Sequence, residues 1–406
     1  MSGINRKAYS AVAYLMGCAL NGITPLSERL EGVEIGAICT IAQKHSVLAL
    51  VTTALEALSI APKRAVSEKN MAIRKVLLFD AKRAEVVEAL EAAGITHMPL
   101  KGVYMKELYP SVGLRQMSDN DILFDPERRA DVREIMEKLG FSTESYGKSN
   151  QDVYMMPPVF NFEMHVSLFP GTGFDKHKKY FDKAMEKGVA VEGTKHRLAM
   201  TDEDFYIYVK AHEYKHYSHN GTGLRSLADT YVFNKAKRSS LNLDYVNGEL
   251  DKLGILEYEK RSLELANALF TPEALADATP LYDRLDEKSK SMFEYMCFAG
   301  TYGNETISIT NAVREFETIK KGKRAGKYSY LWHRIFPPMS FYETYYPFYY
   351  KHKILIPFFF IKRICANLFL RPAGTFRRIK IILTSDKKSI NTIPEGTTQR
   401  EDGETK

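Results

Sequence analysis

The chain has 406 residues, 45% hydrophobic and 26% charged, the balance of a globular protein of two or three domains that needs no disulfide framework. Its four cysteines, Cys18, Cys39, Cys297 and Cys365, stand far apart with no CxxC pair, which argues against a zinc knuckle and for the reducing cytoplasm. The net charge of +7 is uneven: from Lys351 to Lys388 ten Lys/Arg face one acid, Asp386, so the body is close to neutral and no nucleic-acid-binding face runs across it.

The opening MSGINRKAYSAVAYLMGCAL is apolar, but Tyr, Gly and Cys interrupt it and no AxA site follows, so it reads as a core helix rather than a signal peptide. Residues 1–93 form an N-terminal helical part, because IGAICTIAQKHSVLALVTTALEAL and KVLLFDAKRAEVVEALEAAG carry apolar residues three and four apart. Gly94 stops the last of these helices. Residues 94–200 then alternate between types. ITHMPL is a strand candidate ending at Lys101-Gly102, VYMKELYP a helix closed by Pro110, and DNDILF a second strand. PERRADVREIMEKLG is a helix with Pro126 at its start and Gly140 at its end. FSTESYGKSNQDVYMM is hairpin-like, and VFNFEMHVSLF alternates as a further strand. From Thr201, a plausible N-cap, residues 201–335 are helical again. KKGKRAGK interrupts them as a basic linker. Residues 336–387 are aromatic and basic, and residues 388–406 are polar and expected to be disordered. The fold class is α+β, mostly helical, with a small mixed sheet flanked by helices.

The chemistry concentrates around the second strand. Side chains alternate along a strand, so Asp119 and Asp121 share a face. Paired carboxylates at a strand end hold hard divalent cations such as Mg²⁺. Glu163, with His165 on the same face of the later strand, offers a third acid for a two-metal clamp. The Lys101-Gly102 turn, where a helix opens, suits phosphate, and Arg115 and Ser118 could face the same oxygens. Acids at a strand start are also common in plain turns, so the order of all these elements carries the reading.

GITHMPLKGVYMKELYPSVGLRQMSDNDILF resembles the signature of the uncharacterised bacterial nucleotidyltransferase family within the DNA polymerase β-like superfamily: an LKG turn, a helix ending in YP, then GxR and DxDxL. EMHVSLF is similar to that family's acid-x-His strand, HEYKH with LRSLADTYVF to its helical HxxKH and LRxLxD segment, and AQKHSVLAL to its N-terminal helix. The resemblance covers most of residues 35 to 235. It implies Mg²⁺-dependent transfer of NMP from an NTP such as ATP to a hydroxyl acceptor, with Asp119, Asp121 and Glu163 as metal ligands and two ions. Lys101, Gly102, Arg115 and Ser118 would meet the nucleotide phosphates, with His165, His212 and Arg225 as cleft candidates. Asn120 departs from the aliphatic residue usual between the acids and needs a buried partner. It also leaves room for a silent binding protein that keeps the fold.

HEYKH matches HExxH, so a zinc hydrolase with His212 and His216 as ligands and Glu213 as base is a rival reading. Phe205, Tyr208, Val209, His212 and His216 form one helical stripe, however, which a core or cleft explains more simply. Arg225 and Asp229, four apart, could pair on a helix surface. In the C-terminal segment the longest apolar run, Ile354 to Ile361, is too short to span a membrane. Residues 340–380 are therefore read either as packing on the helical domain or as a peripheral membrane contact. Stacking of bases on these aromatics is a weaker option.

Overall fold

Asn5 opens the first helix, α1 (Arg6–Asn21), by accepting a hydrogen bond from the Ala8 amide, as short polar side chains do at helix starts. The structure, a computed structural model, describes residues 5–171, 174–319, 326–370 and 372–384. Helices α2 (Ile35–Lys44), α3 (Leu48–Ala57) and α4 (Lys63–Ala92) follow α1. At 1.5 Å per residue α4 is roughly 45 Å long, long enough to serve two cores. Its Ala65 and Ala72 join the N-terminal helices, while Val86 and Leu90 join the sheet.

The strands are β1 (His97–Pro99), β2 (Asn120–Phe124), β3 (Ser142–Ser145), β4 (Gln151–Met156) and β5 (Phe160–His165). Helix α5 (Gly102–Met105) follows β1, and α6 (Arg129–Lys138) follows β2. The sheet order is β1-β2-β5-β4-β3. The β2–β5 pair is parallel and the others are antiparallel. Parallel neighbours need a long crossover, and residues 125–159, with α6 and the β3–β4 hairpin, supply it. The small mixed sheet is the one the sequence predicts.

Alternation along the strands divides the two faces. Ile122, Phe124, Phe162 and Met164 are buried with Val86 and Leu90 of α4 and Val132 and Met136 of α6. Asp121, Leu123, Glu163 and His165 therefore belong to the opposite face. Asn120 is the polar residue on the apolar face, and its partner is Arg83 of α4. Arg83 Nη1 donates to Asn120 Oδ1 at 3.0 Å, while Nη2 donates to Asp80 at 2.6 Å.

After α7 (Asp175–Phe181) and a two-stranded ribbon, β6 (Val189–Ala190) with β7 (Leu198–Ala199), the chain is helical. Thr201 caps α8 (Asp202–His219) by accepting from the Asp204 amide, as predicted. Then come α9 (Leu224–Lys237), α10 (Leu243–Leu253), α11 (Leu256–Phe270), α12 (Pro272–Ala276), α13 (Leu281–Arg284), α14 (Glu287–Ala299) and α15 (Glu305–Ile319). Val12, Leu15 and Met16 of α1 share one apolar core with Leu227, Leu265 and Phe293 of this half. The expected polar tail, and all but the end of the expected basic linker, lie outside the described residues.

One buried ion pair locks α8 to α9 and α11. The fully buried Lys210 Nζ donates to Glu213 at 2.9 Å, Thr230 at 3.0 Å and Ser262 at 2.7 Å. Tyr258 donates to the other Glu213 oxygen at 2.6 Å. Lys210→Met leaves that carboxylate buried without its cation, a change that costs about 3–5 kcal/mol. We expect that loss in urea unfolding at neutral pH. We expect a smaller loss in acid, because burial already holds the Glu213 carboxyl above its usual range and a proton neutralises it.

Candidate active site

The parallel register sets Asp121 of β2 directly beside Glu163 of β5. His165, two residues on, shares their face. Its Nε2 lies 2.8 Å from Asp121 Oδ1 and 3.8 Å from Glu163 Oε2. Donor atoms of Asp121, Glu163 and His165 all fall within 4.8 Å of one another. Among the described residues this is the single group of three or more metal-capable side chains. Asp119 is outside it and precedes β2, which begins at Asn120. Its carboxylate nonetheless lies close enough to raise the protonation equilibria of its neighbours.

Lys101 compensates for this density of negative charge. Its Nζ donates to Asp121 Oδ1 at 2.8 Å, on the same oxygen that His165 meets. The backbone is bent to allow this: Lys101 has φ 44° and ψ −109°, a region that costs a residue with a Cβ on the order of 1–3 kcal/mol. Three backbone bonds hold the bend. Leu100 N donates to Asp121 O at 2.9 Å, and the Tyr104 and Met105 amides donate to Lys101 O at 3.2 and 3.1 Å. The positive φ of this turn falls on Lys101 and not on Gly102. Gly102 is needed for space instead, since a Cβ there would lie 2.6 Å from Met117 Cε and 2.8 Å from Arg115 Nη1.

The acids titrate in opposite directions. Burial pushes the Asp121 carboxyl up, but Lys101 and the hydrogen bonds from His165 and Lys101 outweigh it and hold the group well below the usual carboxylate range. Glu163 makes no hydrogen bond to Lys101 or His165, and burial plus the charges of Asp121 and Asp119 push it up to about 7, against the pull of Lys101 and a hydrogen bond with Gln151. Asp119 is also raised, by burial and by Asp121, and is drawn back by Lys101, Arg225 and a hydrogen bond with Ser118. Burial keeps His165 below the ordinary imidazole value, and therefore neutral.

The remaining predicted residues divide. Arg115 is committed to Asp229 of α9, with Nε and Nη2 donating to its two oxygens at 2.8 and 2.9 Å. The Tyr109 hydroxyl donates to the same carboxylate at 2.7 Å. The suggested pairing of Arg225 with Asp229 along one helix does not form, because Arg115 has taken the acid. Arg225 Nη1 donates instead to the Gln116 carbonyl at 3.2 Å. Burial and the adjacent Arg115 charge lower its proton affinity, and Asp119 and Asp229 partly restore it.

Helix α8 turns a stripe toward the sheet. Tyr208, His212 and Lys215 stand four and three residues apart, and each feels the charge of Lys101. Burial, then Lys101, lowers Lys215 to about 8, against the pull of Asp121 and Glu163. No carboxylate of the described residues lies within ion-pair distance of Lys215 or Arg225. Lys215 lies inside HEYKH, but the HExxH spacing concerns only the histidines and the glutamate. The helical period that grouped Tyr208 with His212 places Lys215 on the same side.

The zinc reading fails on direction. His212 and His216 do meet, with Nε2 atoms 3.3 Å apart. Glu213, the base it requires, is turned into the helical core and held by Lys210 and Tyr258.

The carboxylates of the sheet thus stand opposite Lys215 of α8, which feels the charges of Asp121 and Glu163. The chain belongs to the uncharacterised nucleotidyltransferase family, whose model matches residues 31–271. That span takes in the whole sheet together with α8 to α11. Neither the curated proteins nor the solved structures compared with the chain include a match.

The raised Glu163 carboxyl sets a pH test of stability. The folded protein binds this proton more tightly than the unfolded chain, whose Glu titrates near 4.3. The burial penalty is thus absent below the unfolded value and complete above about pH 7. With a chelator present, Glu163→Gln should melt several degrees higher than wild type at pH 8. The two should converge near pH 4. A constant difference across that window would contradict the assignment.

Proposed function

We propose that the protein transfers NMP from an NTP to a hydroxyl acceptor, with Mg²⁺ held by Asp119, Asp121 and Glu163. The observation that carries this reading is the register of Asp121 beside Glu163 on the face turned toward α8, in a chain of this family. The donor set fits the ion: oxygen ligands suit Mg²⁺, Asp121 stays ionised, and no hydrogen bond among the described residues reaches Asp121 Oδ2. We take the stoichiometry as two ions, with Asp119 completing the set. His165 acts as a positioning residue that fixes the Asp121 carboxylate.

The bound metal would polarise the α-phosphoryl group and acidify the acceptor hydroxyl. The acceptor oxygen forms a bond to the α-phosphorus while the bond to the bridging oxygen breaks, and pyrophosphate leaves. Glu163 would receive the hydroxyl proton. Lys101, Lys215 and Arg225 bind the triphosphate, and the last two bring cations that no carboxylate neutralises. Arg115 and Ser118 act indirectly: Arg115 braces α9 through Asp229, and Ser118 bonds to Asp119. His212 lines the cleft beside Lys215. The free cysteines suit the cytoplasm.

Asn120 was the hint of a silent fold, and Arg83 supplies its missing partner. Turnover is therefore the reading we favour. With labelled NTPs and Mg²⁺, wild type should transfer label to an acceptor, and Asp121→Ala should abolish it. Nucleotide binding without transfer by wild type would leave a binding protein. Lys215→Met and Arg225→Met should each raise the KM for NTP roughly 10- to 100-fold, the worth of a charged hydrogen bond, with kcat nearly retained. Unchanged KM in both would remove the helical half from the phosphate site.

A further inference from the structure

The family match ends at residue 271, and the C-terminal unit lies well beyond it. It consists of α16 (Lys327–Ile335), α17 (Met339–Tyr345), α18 (Pro347–Lys351), α19 (Ile356–Cys365) and α20 (Pro372–Thr384). Its anchor to the body is specific. Val313 of α15 packs with Tyr330 and Ile382, and Glu305 accepts from Arg377 and, at 2.6 Å, from Arg378. Many of its aromatic rings pack on one another. Phe359 meets Tyr346 and Tyr349 with centroids 4.5 and 4.4 Å apart, and Phe360 stacks on Phe336 at 4.8 Å.

That packing uses one side of α19. On the other side Phe358, Ile361 and Cys365 stand three and four residues apart, which is one helical face, and all three are exposed. Ile354 precedes this stripe and Phe369 follows it. Ile354, Phe358, Ile361 and Phe369 are between 59% and 83% exposed. Most of the large apolar side chains exposed among the described residues fall between 328 and 383. An apolar stripe of this kind in water marks a contact surface rather than ordinary exposure.

Charge identifies the occupant. Residues 326 to 384 contain ten Lys/Arg and a single acid, Glu343. Arg377 and Arg378 are spent on Glu305, but Lys351, Lys353 and Lys362 are exposed and border the stripe, with no carboxylate of the described residues at ion-pair distance. No helix of the described residues is long and apolar enough to cross a membrane. An apolar face edged by lysines and rich in aromatic rings suits the headgroup layer of an anionic bilayer. We propose that the C-terminal unit lies on an anionic membrane surface, with Ile354, Phe358, Ile361 and Phe369 entering the acyl boundary and the lysines meeting lipid phosphates. This inference stands on the C-terminal unit alone and is independent of the catalytic reading.

The test is co-sedimentation of the full chain with vesicles of phosphatidylcholine alone or mixed with phosphatidylglycerol. Binding is expected to the mixed vesicles, to fall with added salt, and to be absent from phosphatidylcholine alone. The double variant Phe358→Ser/Ile361→Ser should bind at least tenfold more weakly. Lys353→Gln and Lys362→Gln should each cost roughly fivefold, since one lysine near a charged surface contributes about 1 kcal/mol. All four positions are exposed, and matched thermal melts check that each variant folds. The proposal is overturned if wild type ignores the mixed vesicles or if the variants bind them equally well. It is also overturned if the stripe instead mediates self-association, seen by analytical ultracentrifugation as a dimer that the double variant loses while vesicles capture nothing. Retention of a single-stranded RNA probe in the absence of vesicle binding would reject it in the same way.

Discussion

Carboxylates that crowd one strand face repel each other, and the way this chain tolerates Asp121 organises the rest of the site. Asp121 Oδ1 takes both Lys101 and His165 at 2.8 Å. A buried carboxylate with two such partners stays ionised, while its neighbour Glu163 is driven toward the neutral form. The asymmetry follows from geometry. Lys101 can reach Asp121 because the chain between β1 and α5 adopts a conformation unfavourable for a residue with a side chain. The ion pair and the backbone bonds around Leu100 offset that strain. Lys101 is thus a fixed part of the electrostatic frame, unlike a flexible surface lysine.

The sheet alone would make half a site. On the sheet side the cation beside its carboxylates is Lys101. The other cations come from α8 and α9, which the β6–β7 region and the start of the helical half bring across the acid-bearing face. Their positions are secured from behind. Arg115, on the loop before β2, grips Asp229 of α9 with both arms of its guanidinium. Two-point pairing fixes orientation as well as distance. The loop carrying Asp119 and the helix carrying Arg225 are therefore tied together. Arg115 bears on the site through this brace, since its own nitrogens are occupied by Asp229 and Met117.

Much of this was legible in the sequence. Alternation of DNDILF and FNFEMH predicted two strands with acids on a common face, and the helix stops at Gly94 and Gly140 appear as left-handed residues just past α4 and α6. What could not be read was pairing across distance. Nothing local in Asn120 reveals Arg83, thirty-seven positions earlier. Nothing in LRQMSD shows that Arg115 faces Asp229 rather than solvent. The Lys101-Gly102 turn hides its strained residue for a physical reason. Glycine is the default residue for a positive φ, but here the tight contact with Met117 claims the glycine and the strained dihedral falls to lysine.

HEYKH shows why a short motif on a helix is weak evidence of chemistry. Consecutive helical residues point about 100° apart, so five positions cover more than one full turn and face different environments. His212, Lys215 and His216 turn toward the sheet, where burial and neighbouring cations strip the imidazoles of their protons. Glu213 turns the opposite way into a pocket closed by Lys210, Tyr258, Thr230 and Ser262. A hydrolytic zinc site needs its glutamate beside the metal-bound water, on the side of the histidines. In this chain the motif's acid is instead a strut of the helical core. The motif's other face, with Lys215, turns toward Lys101, Asp121 and Glu163. The same stretch therefore does two things: Lys210 and Glu213 hold α8 against α9 and α11, and Lys215 faces the sheet.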